Sequence, residues 1–205
     1  ILLVRLRMIG DVVFTTPAVA ALRAHFPTAQ ITYIVEPAAA PVVAGNPHLS
    51  RVLVAPRLPG IKGLLADLAL GRQLARHRFD VAIDFHGGPR ASLLTWLSRA
   101  PRRIGYEVQG RGWMYTERIR RPRELRARHS VENQWDLLAG LGVPPPSRVR
   151  FPIEMVADPS VALSVGERLG AHALPDTARL AVLHVSASNP FRRWPLDSFA
   201  RVAAG

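Results

Sequence analysis

Short apolar runs suited to strands alternate along this chain with segments of helical periodicity, and this alternation constrains the fold more than any other feature. Strands and helices in strict succession predict a parallel sheet, because parallel neighbours need a long return connection that a helix supplies. Residues 1–6 form an apolar run broken only by Arg5, as expected of a central strand buried on both faces. Residues 8–11 make a turn. Thr16 then reads as a helix cap with Pro17 at the first helical position, and the helix runs through Val19 and Leu22 to Pro27. Further strands are expected over 30–35, 51–54, 81–85 and 103–106, and helices over 38–44, 64–76, 91–97 and 130–141. The stretch 108–128 is polar, Arg-rich and without period, and reads as a long surface loop. Pro144, Pro145 and Pro146 mark a linker, after which the pattern restarts with a helix over 161–169, a buried strand over 180–185 and a helix over 196–204. The expected organisation is therefore one α/β domain over 1–150, and over 151–205 a linker and the incomplete start of a second domain.

Composition narrows the function classes. Hydrophobic residues make up 48% of the 205, enough for a packed core. No apolar run approaches the roughly 18 residues that span a bilayer, and the first residues have neither the charged leader nor the cleavage site of a signal peptide. The absence of cysteine excludes disulfides, thiolate metal sites and cysteine nucleophiles, and fits a cytoplasmic protein. The formal net charge is +12, and Lys62 is the only lysine among 27 basic residues. Coding bias accounts for part of the preference for Arg, but less well for the excess of base over acid. Arginine forks suit phosphates and carboxylates, so the balance implies an anionic partner: a phosphorylated or carboxylated substrate, an anionic membrane leaflet, or nucleic acid. No GxGxxG, P-loop, nucleophile-elbow serine, Asp-x-Asp pair or HExxH occurs, which removes support from dinucleotide, NTPase, hydrolase and metal-dependent readings.

In open α/β sheets, ligands bind beyond the carboxyl ends of the strands. Asp11 falls there, after the first strand, and Gly10 before it allows a tight turn. A carboxylate so placed either caps the following helix or takes a proton from a substrate hydroxyl.

Four segments resemble one family in order. ILLVRLRMIGDVVFTTPAVAALRAHFP is similar to the amino-terminal signature of glycosyltransferase family 9, the ADP-heptose:lipopolysaccharide heptosyltransferases. FDVAIDFHGGPRASLLTWLSRAPRRIGY resembles its second stretch, HSVENQWDLLAGLGV its third, and RLAVLHVSASNPFRRWPLDSFARVA the opening of its second domain. The resemblance implies a GT-B fold, two Rossmann-like domains across a cleft, with this chain holding the acceptor-side domain and a truncated donor domain. It implies an inverting, metal-independent transfer without a cofactor. The donor would be a nucleotide-sugar, ADP-heptose, and the acceptor the lipopolysaccharide inner core or a similar anionic glycolipid. The general base falls on Asp11. Arg192 stands where the family has Lys and would meet the diphosphate. Ser186 and Ser188 follow the expected second-domain strand and either touch phosphate oxygens or serve the turn.

Arg5 takes the family's basic position on the first strand. It faces the cleft or forms an internal salt bridge with Asp84 or Asp11. His86, Arg90 and Ser92, after the fourth strand, would line the acceptor site, and Gly87 with Gly88 would admit the acceptor close to the backbone. His129 reads as structural. The run Arg118, Arg120, Arg121, Arg123, Arg126 and Arg128, near Trp113 and Tyr115, is either a solvated face or a contact with an acidic lipid-anchored acceptor or the anionic headgroups of the cytoplasmic membrane's inner leaflet, where each charge contributes roughly 1 kcal/mol. The isolated chain is expected to be inactive. The competing readings are another GT-B-type enzyme such as a sugar-nucleotide epimerase, and a basic α/β module binding nucleic acid, for which no recognised motif is present.

Overall fold

Leu2, Leu3 and Val4 have no exposed surface, and they form the central strand that their continuous apolar character predicts. In the computed structural model, which describes residues 1–120, 129–147, 149–156, 158–172, 179–187 and 189–204, this strand is β1 (Leu2–Val4). It pairs in parallel with β2 (Thr32–Val35) on one side and β4 (Val81–Asp84) on the other. With β3 (Arg51–Val54), β5 (Arg102–Tyr106) and β6 (Glu117–Ile119), the sheet has six parallel strands in the order β3-β2-β1-β4-β5-β6.

The period-2 geometry of the strands divides the core between two faces. Leu3, Tyr33, Ile83 and Ile104 pack with Val19 and Leu22 of α2 (Thr16–His25) and with Val131 and Trp135 of α6 (Ser130–Trp135). Leu2, Val4, Ile34 and Ala82 pack with Leu74 of α4 (Gly60–Arg76) and with Ala91 and Leu94 of α5 (Pro89–Leu97). This is a doubly wound sheet, and its strand order reverses direction between β1 and β4. The crevice where ligands bind in such sheets opens at that reversal.

Two short helices, α1 (Ile9–Val13) and α3 (Ala40–Val43), complete the first layer. The turn expected over 8–11 is largely helical, because α1 begins at Ile9 within it. The helix expected over 130–141 is α-helical only through Trp135, continues as a 3₁₀ turn to Leu141, and ends at Gly142 with φ +73°. His129 caps α6, its Nδ1 accepting from the Val131 N–H at 3.3 Å, and its ring packs edge-on against Phe14.

The segment read as a surface loop over 108–128 contains a strand and a buried residue. β6 adds to β5 at the sheet edge, and Tyr115 just before it is buried. Three residues of mixed character, Glu-Arg-Ile, are too few to show a period, so only the open edge of β5 places them. Residues 121–128 lie outside the described residues.

The chain divides into two compact units, Ile1–Val156 and Ala157–Gly205. Sequence alone set this boundary at 150, but residues 151–156 pack on the first unit. Phe151 is buried beside Trp135, and the Glu154 N–H donates to Thr16 Oγ1 at 3.2 Å. The second unit holds α7 (Pro159–Gly170), capped by Asp158, then a 3₁₀ turn Pro190–Arg192 and α8 (Leu196–Ala204). The buried strand expected over 180–185 does not form: these residues take no regular structure and are exposed, without ladder partners among the described residues. A strand is held by its neighbours, and no other described segment of this unit offers one.

Candidate active site

The ends of β1 and β4 meet at the switch point, and one side chain ties them together. Arg5, one residue past β1, is almost completely buried. Its Nη1 donates to the carbonyl of Phe85, just past β4, and its Nη2 pairs with Asp11 Oδ2 in the first turn of α1. Of the arrangements open from sequence, the structure forms the ion pair with Asp11. The Asp11 side chain remains 42% exposed at the sheet's carboxyl edge, where a hydroxyl can reach it. The pair fixes one carboxylate oxygen and balances its charge without closing off the group.

The turn carrying Asp11 is made differently from expectation. Gly10 lies inside α1, its φ is not left-handed, and a Cβ added there would meet no atom within 4 Å. The left-handed residue is Met8, with φ 70° and a side chain that cannot relieve the conformation as glycine would. Such residues cost on the order of 1–3 kcal/mol and persist where their surroundings over-determine them.

Beneath this edge lies a buried polar network. Asp84, at the end of β4, is fully buried. Its Oδ1 accepts the N–H groups of His86 and Gly87 at 2.8 and 2.9 Å, and its Oδ2 accepts the Tyr115 hydroxyl at 2.6 Å. Burial pushes the Asp84 carboxyl above the ordinary carboxylate range, against the opposing pull of Tyr115, the two N–H groups and the nearby Arg5 charge. Burial and the Asp84 charge hold the Tyr115 phenol well above its usual range, so it stays a donor. Ser92 belongs to this network: it is fully buried, 2.7 Å from the Tyr115 hydroxyl, and its Oγ donates to Gly88 O. That placement contradicts a role in lining an acceptor site, because no surface of Ser92 is open to a ligand.

Asp84 shapes the 86–88 turn. Gly87 has φ +68°, and a Cβ on Gly88 would come within 2.7 Å of the His86 ring. The ring of His86 thus lies against the Gly88 backbone, and it lines a depression of 250 Å³ with Arg7, Glu36, Arg57 and Arg90. Arg90 is less available than its position suggests. It joins Asp67 at 2.7 Å, Glu36 at 2.9 Å and the carbonyl of Pro56 at 2.9 Å. Those carboxylates more than offset burial and raise its pKa further. The cations of the depression left without an ion pair among the described residues are Arg7 and Arg57. Sequence reasoning passed over both, and saw Tyr115 only as an aromatic beside the basic run, because its buried contacts lie far apart in the chain.

In the second unit, Ser186 Oγ lies 3.4 Å from His184 Nε2, and Arg192 ends the 3₁₀ turn that Asn189 caps. Ser188 lies outside the described residues. Among the described residues, no group of three or more His, Cys, Asp or Glu could hold a metal ion, and no helix is long and apolar enough to cross a membrane.

Residues 68–205 match the model of glycosyltransferase family 9 (heptosyltransferase). The fold superposes on a family 9 glycosyl transferase from Veillonella parvula with TM-score 0.87 and 26% identity, over 98% of this chain and 57% of that one. It also resembles E. coli heptosyltransferase WaaC, solved with ADP-2-deoxy-2-fluoro heptose (TM-score 0.69, 19% identity, 99% of this chain, 64% of that one). E. coli ADP-heptose lps heptosyltransferase II gives TM-score 0.72 and 17% identity, over 99% of this chain and 60% of that one. No curated protein sequence matches. The chain thus spans about three fifths of the length of these solved structures.

Proposed function

Because this chain belongs to glycosyltransferase family 9, we propose that it is the acceptor-side part of an inverting heptosyltransferase with Asp11 as general base. The observation that carries this reading is the Arg5–Asp11 pair at the switch point, which holds a half-exposed carboxylate where a ligand would bind. In the proposed reaction, a hydroxyl of the acceptor gives its proton to Asp11 as its oxygen attacks the anomeric carbon of the donor sugar. The new C–O bond forms as the bond to the nucleotide diphosphate breaks on the opposite face, and this single displacement inverts the centre. The proton rests on Asp11, and the negative charge leaves with the diphosphate. Arg192 stabilises that charge, with hydroxyl donors from Ser186 and Ser188. No step in this scheme calls for a metal or a resident cofactor.

WaaC was solved with an ADP-linked heptose analogue, which supports ADP-heptose as the donor here. Arg7 and Arg57, beside His86, favour an anionic acceptor, and the lipopolysaccharide inner core or a similar glycolipid fits that chemistry. Such an acceptor places the enzyme at the inner face of the cytoplasmic membrane.

The test uses the longest natural polypeptide containing this chain, mixed with ADP-heptose and a deacylated inner-core oligosaccharide. Mass spectrometry should show the acceptor gaining one heptose, and Asp11→Asn should lower the rate at least ~10²-fold, the lower range of a general base's contribution. Thermal stability should change little. Retained turnover in Asp11→Asn removes Asp11 as the base.

A further inference from the structure

We infer that the loop after β3 and the first turns of α4 form a membrane-docking tip that seats on an anionic bilayer surface. The inference deepens the proposed function, since a glycolipid acceptor lies in a membrane, but it stands on separate observations. The segment reads PRLPGIKGLL. Ile61, Leu64 and Leu65 stand at helical spacings of three and four, so they share one face. They are 77%, 53% and 60% exposed, and Leu58 is also exposed. Helix α4 is therefore used unequally: Gly71 and Leu74 in its second half are buried, while the apolar face of its first half is open.

The tip is built to a fixed shape. A Cβ on Gly63 would lie 2.1 Å from the Leu58 carbonyl oxygen, so only glycine lets the loop lie against the helix and bring Leu58 beside this turn. Asp67 anchors the same half of the helix through Arg90. Large aliphatic residues concentrated on one exposed tip mark a contact surface rather than ordinary surface scatter.

Charge selects the occupant. Lys62 shares the first turn with Ile61, and Arg57 precedes Leu58. Asp67 and Glu36, the acids nearby, are both engaged by Arg90. What remains among the described residues is an apolar tip whose basal cations, Arg57 and Lys62, have no ion pair, the arrangement that inserts at a headgroup boundary and favours anionic lipid. Arg57 also lines the depression beside His86, so a docked tip would hold the candidate site close to the bilayer.

The experiment is co-sedimentation of the longest natural polypeptide containing this chain with vesicles of phosphatidylglycerol and phosphatidylcholine in equal parts. Ile61→Asp with Leu65→Asp should lower partitioning at least tenfold, while Arg118→Glu with Arg120→Glu should lower it less. A second measurement, transfer to the deacylated acceptor without vesicles, should be unchanged in Ile61→Asp/Leu65→Asp, which shows the site intact. Unchanged partitioning overturns the inference, and so does a doubly substituted protein that turns from dimer to monomer with vesicle binding retained. If the unsubstituted protein binds vesicles through this tip yet transfers no sugar, the docking surface stands and the proposed reaction fails.

Discussion

Tyr115→Phe isolates one oxygen at the centre of the buried network. The ring stays, so packing is kept, and only the hydroxyl that donates to Asp84 Oδ2 at 2.6 Å is removed. A hydrogen bond to a charged group contributes roughly 1.5–3 kcal/mol net, and the lost contact with Ser92 adds less because Ser92 still donates to Gly88. We expect a loss of about 2–3 kcal/mol, which for a unit of this size lowers Tm by about 5–10 °C. Asp84→Asn should cost only about 1 kcal/mol, because its amide oxygen can still accept the His86 and Gly87 N–H groups. A double-mutant cycle with both changes should then show coupling on the order of 1–2 kcal/mol. The pH dependence has a definite sign. Burial raises the folded pKa of Asp84 above the ordinary 3.8, so its contribution to stability is full below that value and is lost as pH rises through the folded pKa. Tyr115 favours the charged form, so the penalty of Tyr115→Phe should grow as pH rises through the folded pKa of Asp84 and shrink in more acid solution. Urea unfolding across that range reads the effect. A neutral-pH loss below ~0.5 kcal/mol, or one independent of pH, refutes the argument that this bond holds a buried charge.

Two further changes test structural assignments. Arg90→Ala should destabilise by about 2–3 kcal/mol, because it leaves Asp67 and Glu36 without their shared partner in a partly buried site. If stability is unchanged and only the acceptor KM rises, Arg90 acts on substrate instead. Gly71→Ala should cost about 1–3 kcal/mol, since the new Cβ would lie 2.6 Å from the Leu97 side chain at the α4–α5 contact, and an unchanged urea midpoint would show that this contact yields freely.

The sheet was legible because its strands announce themselves locally. The run over residues 1–6 fixed the central strand, and β3 fell where its four residues predicted. β6 was not legible, because Glu117, Arg118 and Ile119 form a strand only where β5 offers its edge. The expected strand over 180–185 failed for the converse reason: its apolar pattern is strong, but no described partner pairs with it. At the site, Asp11 and Arg5 could be picked out because both lie within a few residues of the first strand. The role of Ser92 was misread because its side chain turns inward, toward a tyrosine 23 residues away. Arg90 was singled out because it follows the fourth strand, but its charge is spent on Asp67 and Glu36, which no local signal couples to it.

Arg5 explains how the switch point can hold a half-exposed carboxylate in a fixed place. A carboxylate on a five-residue helix has little of its own structure to hold it, and α1 begins at a left-handed Met8 rather than at a capping side chain. Arg5 supplies what the helix lacks. Its backbone N–H continues the ladder to Ile34 at 3.2 Å, and its guanidinium bonds the end of β4 and Asp11 together. Three elements distant in sequence are thereby referred to one rigid side chain. Asp84 does the same for the opposite wall by fixing the 86–88 turn from below. Both walls of the crevice are thus set by buried charges, not by the loops that form its surface.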